Sequence, residues 1–149
     1  MDFKDYESKG RKKFDENAEL ILGYVGYEFT PNAYDRADVV LSNAKAIYEI
    51  KDRDIPVNRR KSYMLEKIKW DGMCRYYDKF DKYYVNFFQD DWVVIWNLSK
   101  LSPSFDTRWT KGYFTPTTVN YSNDKVEKEY LDLFLHEAEA VYHNKERVK

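Results

Sequence analysis

Three charged residues lie in a segment whose pattern is otherwise that of two buried strands. Residues 37–54 read ADVVLSNAKAIYEIKDRD, with Asp38 in the first apolar run and Glu49 and Lys51 in the second. Buried charges are costly unless they are paired or hold a metal. Because side chains alternate along a strand, Glu49 and Lys51 point to one face. Paired carboxylates suit Mg²⁺ and an ammonium can offset charge on a phosphate, so the pattern indicates metal-assisted phosphodiester cleavage.

Size and composition limit the class of protein. The 149 residues predict a single domain, 1–149. A net charge of -1 argues against a strongly basic nucleic-acid coat, so any nucleic-acid affinity must come from local patches. The lone Cys74 excludes an internal disulfide and a zinc knuckle, and the N-terminal residues contain no apolar run that would suit a signal peptide or a membrane span. We therefore expect a cytoplasmic protein with no membrane partner.

The first half of the chain predicts a helix followed by three strands. Residues 3–22 have a helical apolar stripe, formed by Phe14, Ala18, Ile21, Leu22 and Val25. The predicted strands are residues 24–30, 37–41 and 46–51. The last two are joined by a short polar turn that suits a hairpin, which would set Asp38 beside Glu49.

The second half predicts a helix at residues 62–79 and two strands at 83–88 and 92–98. These strands are apolar on both faces, which is typical of a sheet covered on both sides. Residues 99–121 are rich in Ser, Thr and Pro and predict an irregular segment. A C-terminal helix is predicted from Asp124, with a buried stripe of Val126, Tyr130, Leu133, Phe134 and Val141.

The predicted order is α-β-β-β-α-β-β, an α/β fold with a mixed sheet between helices. Together with Asp38, the hairpin and the triplet Glu49-Ile50-Lys51, this order resembles the PD-(D/E)XK nuclease superfamily over about residues 10–98. The N-terminal run GRKKFDENAELILGYVGYEF resembles the opening of Mrr-type and Holliday-junction-resolvase-type members. The resemblance implies a restriction-endonuclease-like α-β-β-β-α-β core with an extra strand and a C-terminal helix. Ala37 stands where the superfamily pattern has Pro.

The resemblance also implies roles for individual residues. Asp38, Glu49 and the carbonyl of Ile50 would bind Mg²⁺, for which Mn²⁺ would substitute, and Lys51 would position the attacking water. Asp15 would be the acid of the first helix. By helical geometry Asp15 lies on the border of the apolar stripe, and Glu19 lies one step further out. We therefore expect Asp15, or Glu19 in its place, to complete the metal shell.

Basic residues near the predicted site are candidates for binding phosphates. Two runs, KGRKK at residues 9–13 and NRRK at residues 58–61, bracket the proposed site in sequence, and two lysines lie on the second helix. The candidates are Lys12, Lys13, Arg59, Arg60, Lys61, Lys67 and Lys69. The expected partner is DNA, with RNA as an alternative, and a homodimer fits a small nuclease because cutting both strands takes two sites.

Three other interpretations remain. An acid-x-Lys triplet alone is not specific in so charged a chain, and Glu49 and Lys51 could form an ion pair on a solvated sheet face. The chain could also be a nuclease-fold nucleic-acid-binding protein that has lost catalysis. A third alternative is an assembly protein of a phage or mobile element that uses its aromatic residues as an interface.

Overall fold

The computed structural model describes residues 3–22, 28–29, 38–114 and 126–149. These residues form an α/β fold, as predicted, with one large mixed sheet and a second, smaller sheet. The predicted strand at residues 24–30 is described only at Glu28–Phe29, and Val25 and Ala37 lie outside the described residues.

Within the described residues the main sheet has seven strands in the order β1-β2-β3-β5-β6-β9-β10. Their bounds are β1 Glu28–Phe29, β2 Val39–Leu41, β3 Ala46–Asp52, β5 Asp81–Phe87, β6 Trp92–Asn97, β9 Ala140–His143 and β10 Glu146–Arg147. Strands β3 and β5 are parallel, and the other neighbouring pairs are antiparallel. The predictions of a hairpin at β2–β3, of the strand pair β5–β6 and of a mixed sheet are therefore confirmed.

The parallel pair requires a crossover, and the chain between β3 and β5 supplies it. The crossover contains β4 Tyr63–Glu66, which runs directly into α3 Lys67–Tyr76. The smaller sheet has the order β4-β8-β7, where β7 is Thr110–Phe114 and β8 is Val126–Leu133. The crossover thus links the two sheets and lies beside β3, the strand that carries Glu49 and Lys51.

The remaining helices are short except at the N-terminus. Their bounds are α1 Phe3–Glu16, α2 Ala18–Leu22 and α4 Leu98–Leu101, with 3-10 helices at Val57–Arg59, Ser102–Thr107 and Leu135–Glu137. The predicted helix at 3–22 is confirmed, with a break at Asn17, whose side-chain amide donates to the carbonyl of Lys13 at 2.8 Å.

Each face of the main sheet has its own apolar core, as expected for strands that are apolar on both faces. On one face, Phe14 of α1 packs edge-on against the ring of Tyr48, with centroids 5.7 Å apart. On the other face, Ile47 and the fully buried Trp96 pack with Met73 of α3 and with side chains of the smaller sheet. Because Ile47 and Tyr48 are consecutive in β3, they point in opposite directions and enter different cores.

Helix α1 is held against β3 by both packing and charge. An added Cβ on Gly10 would lie 3.0 Å from Cγ2 of Ile50, so the small residue permits close approach. The ammonium of Lys13 donates to the buried carboxylate of Asp52 at 2.8 Å. The even-numbered residues of β3 therefore face α1, which leaves the odd-numbered residues, 47, 49 and 51, for the opposite face.

The predicted C-terminal helix is wrong, because residues 126–133 form strand β8 and later residues form β9 and β10. Its Glu, Lys and Leu content favours a helix, but β8 pairs with β4 on one side and with β7 on the other. The burial also follows a period of two, since Leu131 and Leu133 are buried and Asp132 between them is not. Pairing on both edges outweighs local helix preference here.

Two further boundaries differ from the predictions. Residues 63–66 are strand rather than the start of the helix predicted at 62–79, and Tyr63 and Leu65 alternate toward the core as a strand requires. The segment predicted to be irregular, 99–121, contains part of α4, a 3-10 helix and strand β7 among its described residues.

An ion pair between Arg108 and Glu137 ties together two of the loops that flank the smaller sheet, with both nitrogen–oxygen distances at 2.7 Å. Burial alone would raise the pKa of Glu137, but the hydrogen bonds from Arg108 and from the N–H of Phe134 outweigh it and lower the pKa. A carboxyl group with a lowered folded pKa stabilises the fold above its unfolded pKa and loses that contribution as the pH falls through the folded pKa.

We therefore expect Glu137→Gln to lower the free energy of unfolding at pH 7 by about 1–3 kcal/mol. The difference from wild type should shrink below about pH 4, where the wild-type carboxylate becomes protonated. Urea unfolding at a series of pH values measures both effects. As a control, Glu139→Gln removes an exposed pair with Lys100 and should change stability by less than about 0.5 kcal/mol at any pH. A constant deficit across the pH range would contradict the assigned role of the charge.

Candidate functional site

Asp38 lies immediately before β2, and its carboxylate is directed at the backbone of β3. Its N–H donates to the carbonyl of Tyr48 at 3.0 Å, and its Oδ2 accepts the N–H of Ile50 at 2.8 Å. Its Oδ1 lies 3.8 Å from Nη2 of Arg11 in α1. Asp38 thus contacts the β3 backbone on either side of Glu49.

Glu49 and Lys51 point to the face of β3 opposite α1. Glu49 is 7% exposed, and it lies opposite Tyr84 in the parallel register with β5. Lys51 is exposed to solvent, but protein atoms surround much of its side chain. Partial burial and then the nearby charge of Arg53 lower the pKa of Lys51. The side chain of Lys51 makes no hydrogen bond or ion pair with the residues that the structure describes.

Lys69 of α3 brings a second ammonium to the site. Its Nζ lies 3.5 Å from Oε1 of Glu49. Glu49 raises the pKa of Lys69 most, and Asp38 raises it further, so both carboxylates act on the same ammonium. The alternative of a Glu49–Lys51 ion pair is not observed among the described residues, where Lys69 pairs with Glu49.

Glu66 is a further carboxylate on this side of the sheet. It ends β4, and its Oε1 accepts a hydrogen bond from Lys128 of β8 at 2.6 Å. Its charge acts on both Lys51 and Lys69, raising the pKa of each against other effects. We name Asp38, Glu49, Lys51, Glu66 and Lys69 the carboxylate–lysine cluster. It combines residues from β3, the crossover and the residue before β2.

The two candidate carboxylates of the N-terminal helices lie elsewhere. Asp15 and Glu19 are exposed, and the helices that carry them pack on the Tyr48 face of the main sheet. Glu49 is on the opposite face because of strand alternation. Among the residues that the structure describes, no three Asp, Glu, His or Cys side chains form a group that could hold a metal ion.

The predicted phosphate-binding residues fall into two groups. Lys12, Arg59, Arg60 and Lys61 are exposed. The other three are engaged by protein groups: Lys13 with Asp52, Lys67 with Asp71 and the ring of Trp109, and Lys69 with Glu49. Of the seven candidates, the structure brings only Lys69 into the carboxylate–lysine cluster.

The donor set of the cluster is suited to a hard divalent cation. Mg²⁺ prefers oxygen ligands, keeps several waters and is often held by one or two protein carboxylates together with substrate phosphates. Asp38, Glu49 and the carbonyl of Ile50 offer that chemistry on neighbouring backbone segments. The described residues contain no group of three Asp, Glu, His or Cys side chains that could hold a metal ion. Two carboxylates and one carbonyl are nevertheless compatible with Mg²⁺, with water and substrate as the other ligands.

Comparisons with known proteins leave the site to be interpreted from its own geometry. No protein-family model, curated protein or solved structure matches the chain. In the described part of the chain, no helix combines the length and the apolar character that crossing a membrane requires.

Sequence reasoning missed Arg53, Glu66 and Lys128. Arg53 follows Lys51 by two residues, so strand alternation extended past residue 51 would have placed it beside the site. Glu66 and Lys128 were hidden by helix predictions over segments that are strands β4 and β8. Neither segment carried a signal that would reveal their pairing, because it depends on how the two sheets meet.

Proposed function

We propose that this protein is a metal-dependent endonuclease that hydrolyses DNA phosphodiester bonds at the carboxylate–lysine cluster. One observation carries the proposal: the carboxylate of Asp38 is fixed against β3 beside Glu49, and Lys51 lies on the Glu49 face with no protein partner in the described residues. The Lys51 ammonium therefore keeps its donors available for a substrate phosphate.

Each residue has a defined task in this proposal. Asp38, Glu49 and the Ile50 carbonyl would hold Mg²⁺ or Mn²⁺, and the bound ion would supply Lewis-acid stabilisation of the phosphate oxygen. The hydrogen bond from Ile50 N–H keeps the Asp38 carboxylate in one orientation. Lys51 would orient the attacking water and offset charge that develops on the phosphate. Lys69 would neutralise Glu49 when no cation is bound.

Cleavage assays with labelled single-stranded, duplex and branched DNA, and with RNA, test the proposal. We expect cleavage in Mg²⁺ and Mn²⁺ and none in EDTA. Asp38→Asn and Glu49→Gln keep the shape of the side chains but remove the charge that binds a cation, so each should reduce the rate at least about 100-fold.

Glu139→Gln is the matched control, since it removes one carboxylate charge from an exposed pair outside the cluster and should leave the rate unchanged. Full activity in EDTA, or in both cluster variants, would reject the proposal. Sedimentation of the same sample gives the mass of the particle and tests the proposed homodimer.

A second candidate function is nucleic-acid binding without catalysis. It is favoured by the charge balance around the carboxylates, because Lys69 lies 3.5 Å from Glu49 and Arg11 lies 3.8 Å from Asp38. These cations satisfy both acids with no metal present. Tight binding of DNA with no cleavage in Mg²⁺ or Mn²⁺ would support this function over the nuclease.

A further inference from the structure

Two neighbouring cations, Lys51 in β3 and Arg53 just after it, lack acidic partners among the described residues. Around the carboxylate–lysine cluster, Lys69 pairs with Glu49 at 3.5 Å and Lys128 pairs with Glu66 at 2.6 Å. Lys51 and Arg53 lie on the same face of the chain. Neither side chain makes an ion pair with any described residue. Arg53 continues the ladder beyond β3, since its N–H donates to the carbonyl of Phe87 at 2.8 Å.

The guanidinium of Arg53 is held in one orientation by neutral groups. Its Nε donates to Oδ1 of Asn86 at 2.7 Å, and its Nη2 donates to the carbonyl of Met64 at 2.9 Å and to the hydroxyl of Tyr84 at 3.1 Å. The ring of Tyr63 lies 5.6 Å from the guanidinium carbon. The side chain is therefore positioned before any ligand arrives, which reduces the entropy lost on binding.

One edge of this guanidinium remains available. Nη1 of Arg53 donates to no described residue, and it is not among the buried polar atoms that lack a partner. Nη1 is therefore not fully buried, and its donors are available to a ligand. Arginine donors in a fixed plane match the oxygens of a phosphate, and a desolvated hydrogen bond of this kind is stronger than one between neutral groups.

The charges of Lys51 and Arg53 also oppose each other. Residues 51 and 53 lie on the same side of one extended segment, because side chains alternate along a strand. Like charges held together on a rigid strand are destabilising, and an anion bound between them relieves the repulsion. Residues two apart on a strand are separated by about 7 Å, a span comparable to that between successive phosphates of an extended nucleic-acid strand.

We propose that Arg53 binds a backbone phosphate of the nucleic acid, next to the phosphate that faces Lys51. This inference rests on the proposed function, because it takes a phosphodiester chain as the ligand of the cluster. Arg53 is a substrate-binding residue in this assignment, anchored by Asn86, Met64 and Tyr84. A free phosphate has the same oxygen chemistry, so the experiment distinguishes the two sources.

The test is the salt dependence of binding to labelled single-stranded and duplex oligonucleotides of equal length, measured in EDTA so that no cleavage occurs. We expect Arg53→Gln to weaken binding about tenfold and to lower the slope of log affinity against log salt by about 0.7 for single strands or about 0.9 for duplex, the loss of one phosphate contact. Arg53→Lys should keep most of the slope because it keeps the charge.

Arg147→Gln is the matched control. Arg147 also has its Nε bonded to a carbonyl, that of Lys149 at 2.8 Å, and also lies over a tyrosine ring. It belongs to β10, which is separated from β3 by β5, β6 and β9. It should change neither the affinity nor the slope. An unchanged slope in a folded Arg53→Gln variant would overturn the proposal.

If Arg53→Gln does not fold, the wild-type protein provides the same test. We expect the nitrogen resonance of the Arg53 guanidinium to shift on titration with the oligonucleotide at concentrations where inorganic phosphate has no effect. No shift with the oligonucleotide, or an equal shift with phosphate, would overturn the assignment to a nucleic-acid backbone.

The outcomes for this proposal and for the nuclease are separable. Loss of slope in Arg53→Gln without cleavage by wild type in any metal rejects the nuclease and keeps the phosphate contact. Metal-dependent cleavage with an unchanged slope in Arg53→Gln rejects the phosphate contact and keeps the nuclease.

Discussion

Lys51→Ala should reduce the rate of DNA cleavage by about 10³-fold or more while the protein remains folded. Removing a group that positions water or stabilises charge in a transition state typically costs about 10²- to 10⁴-fold. Lys51 has no partner among the described residues, so its removal leaves no buried acid without a cation. Glu49 keeps its pairing with Lys69 in the variant.

The fold should tolerate this change because the folded state disfavours the charged form of Lys51. Partial burial and Arg53 lower its pKa by more than Glu66 and Glu49 raise it, so the ammonium at neutral pH makes no net favourable contribution to stability. We expect the free energy of unfolding to change by less than about 1 kcal/mol. Urea unfolding and single-turnover cleavage in Mg²⁺ measure the two effects on one preparation.

Two further variants complete the test. Lys100→Ala removes an exposed lysine that pairs with Glu139 outside the cluster, so cleavage should be unchanged. Lys51→Arg keeps the positive charge but displaces its donors, and we expect it to recover only part of the rate. Wild-type activity in Lys51→Ala would show that the cluster is not the site of cleavage.

Trp96→Ala should lower the free energy of unfolding by about 3–5 kcal/mol, the largest stability effect expected in this protein. Trp96 is fully buried in β6 between the two sheets, with the rings of Tyr63 and Tyr84 each 6.1 Å away. Its indole nitrogen donates to the carbonyl of Phe134 at 2.9 Å. The substitution removes a large packed side chain and leaves that carbonyl without its donor.

Equilibrium unfolding in urea, followed by circular dichroism, measures the loss. Trp92→Ala is the matched control, because Trp92 lies in the same strand but is only half-buried and stacks on His143 at 4.2 Å. We expect it to cost less than half as much. Trp96→Phe keeps an aromatic ring and loses the hydrogen bond, which separates the packing contribution from the polar one. Equal losses at positions 92 and 96 would contradict this account of the core.

The strands that are apolar on both faces could be predicted from sequence alone. Residues 83–88 and 92–98 are apolar on both faces, and this pattern is typical of a sheet with a core on each side. The shared face of Glu49 and Lys51 follows from strand alternation without any structure. These local rules were sufficient because packing and residue preference favour the same structure at these positions.

The contacts between the two sheets could not be predicted in this way. Leu131 and Leu133 lie in a segment of helical composition, and only pairing with β4 and β7 makes it a strand. The pairing of Lys69 with Glu49 depends on where the crossover places α3, which no periodicity in residues 53–80 encodes. Two of the five cluster residues, Glu66 and Lys69, are therefore brought to the site by tertiary contacts.

The last strand of the main sheet bears on how two copies of the chain could associate. β10 contains only Glu146 and Arg147, both exposed, and the backbone N–H of Val148 folds back to the carbonyl of Val141 at 2.8 Å. A short, charged edge offers few free N–H and C=O groups and repels an incoming strand. Joining two sheets edge to edge into one continuous sheet is therefore disfavoured at β10, and a homodimer would have to form through another surface.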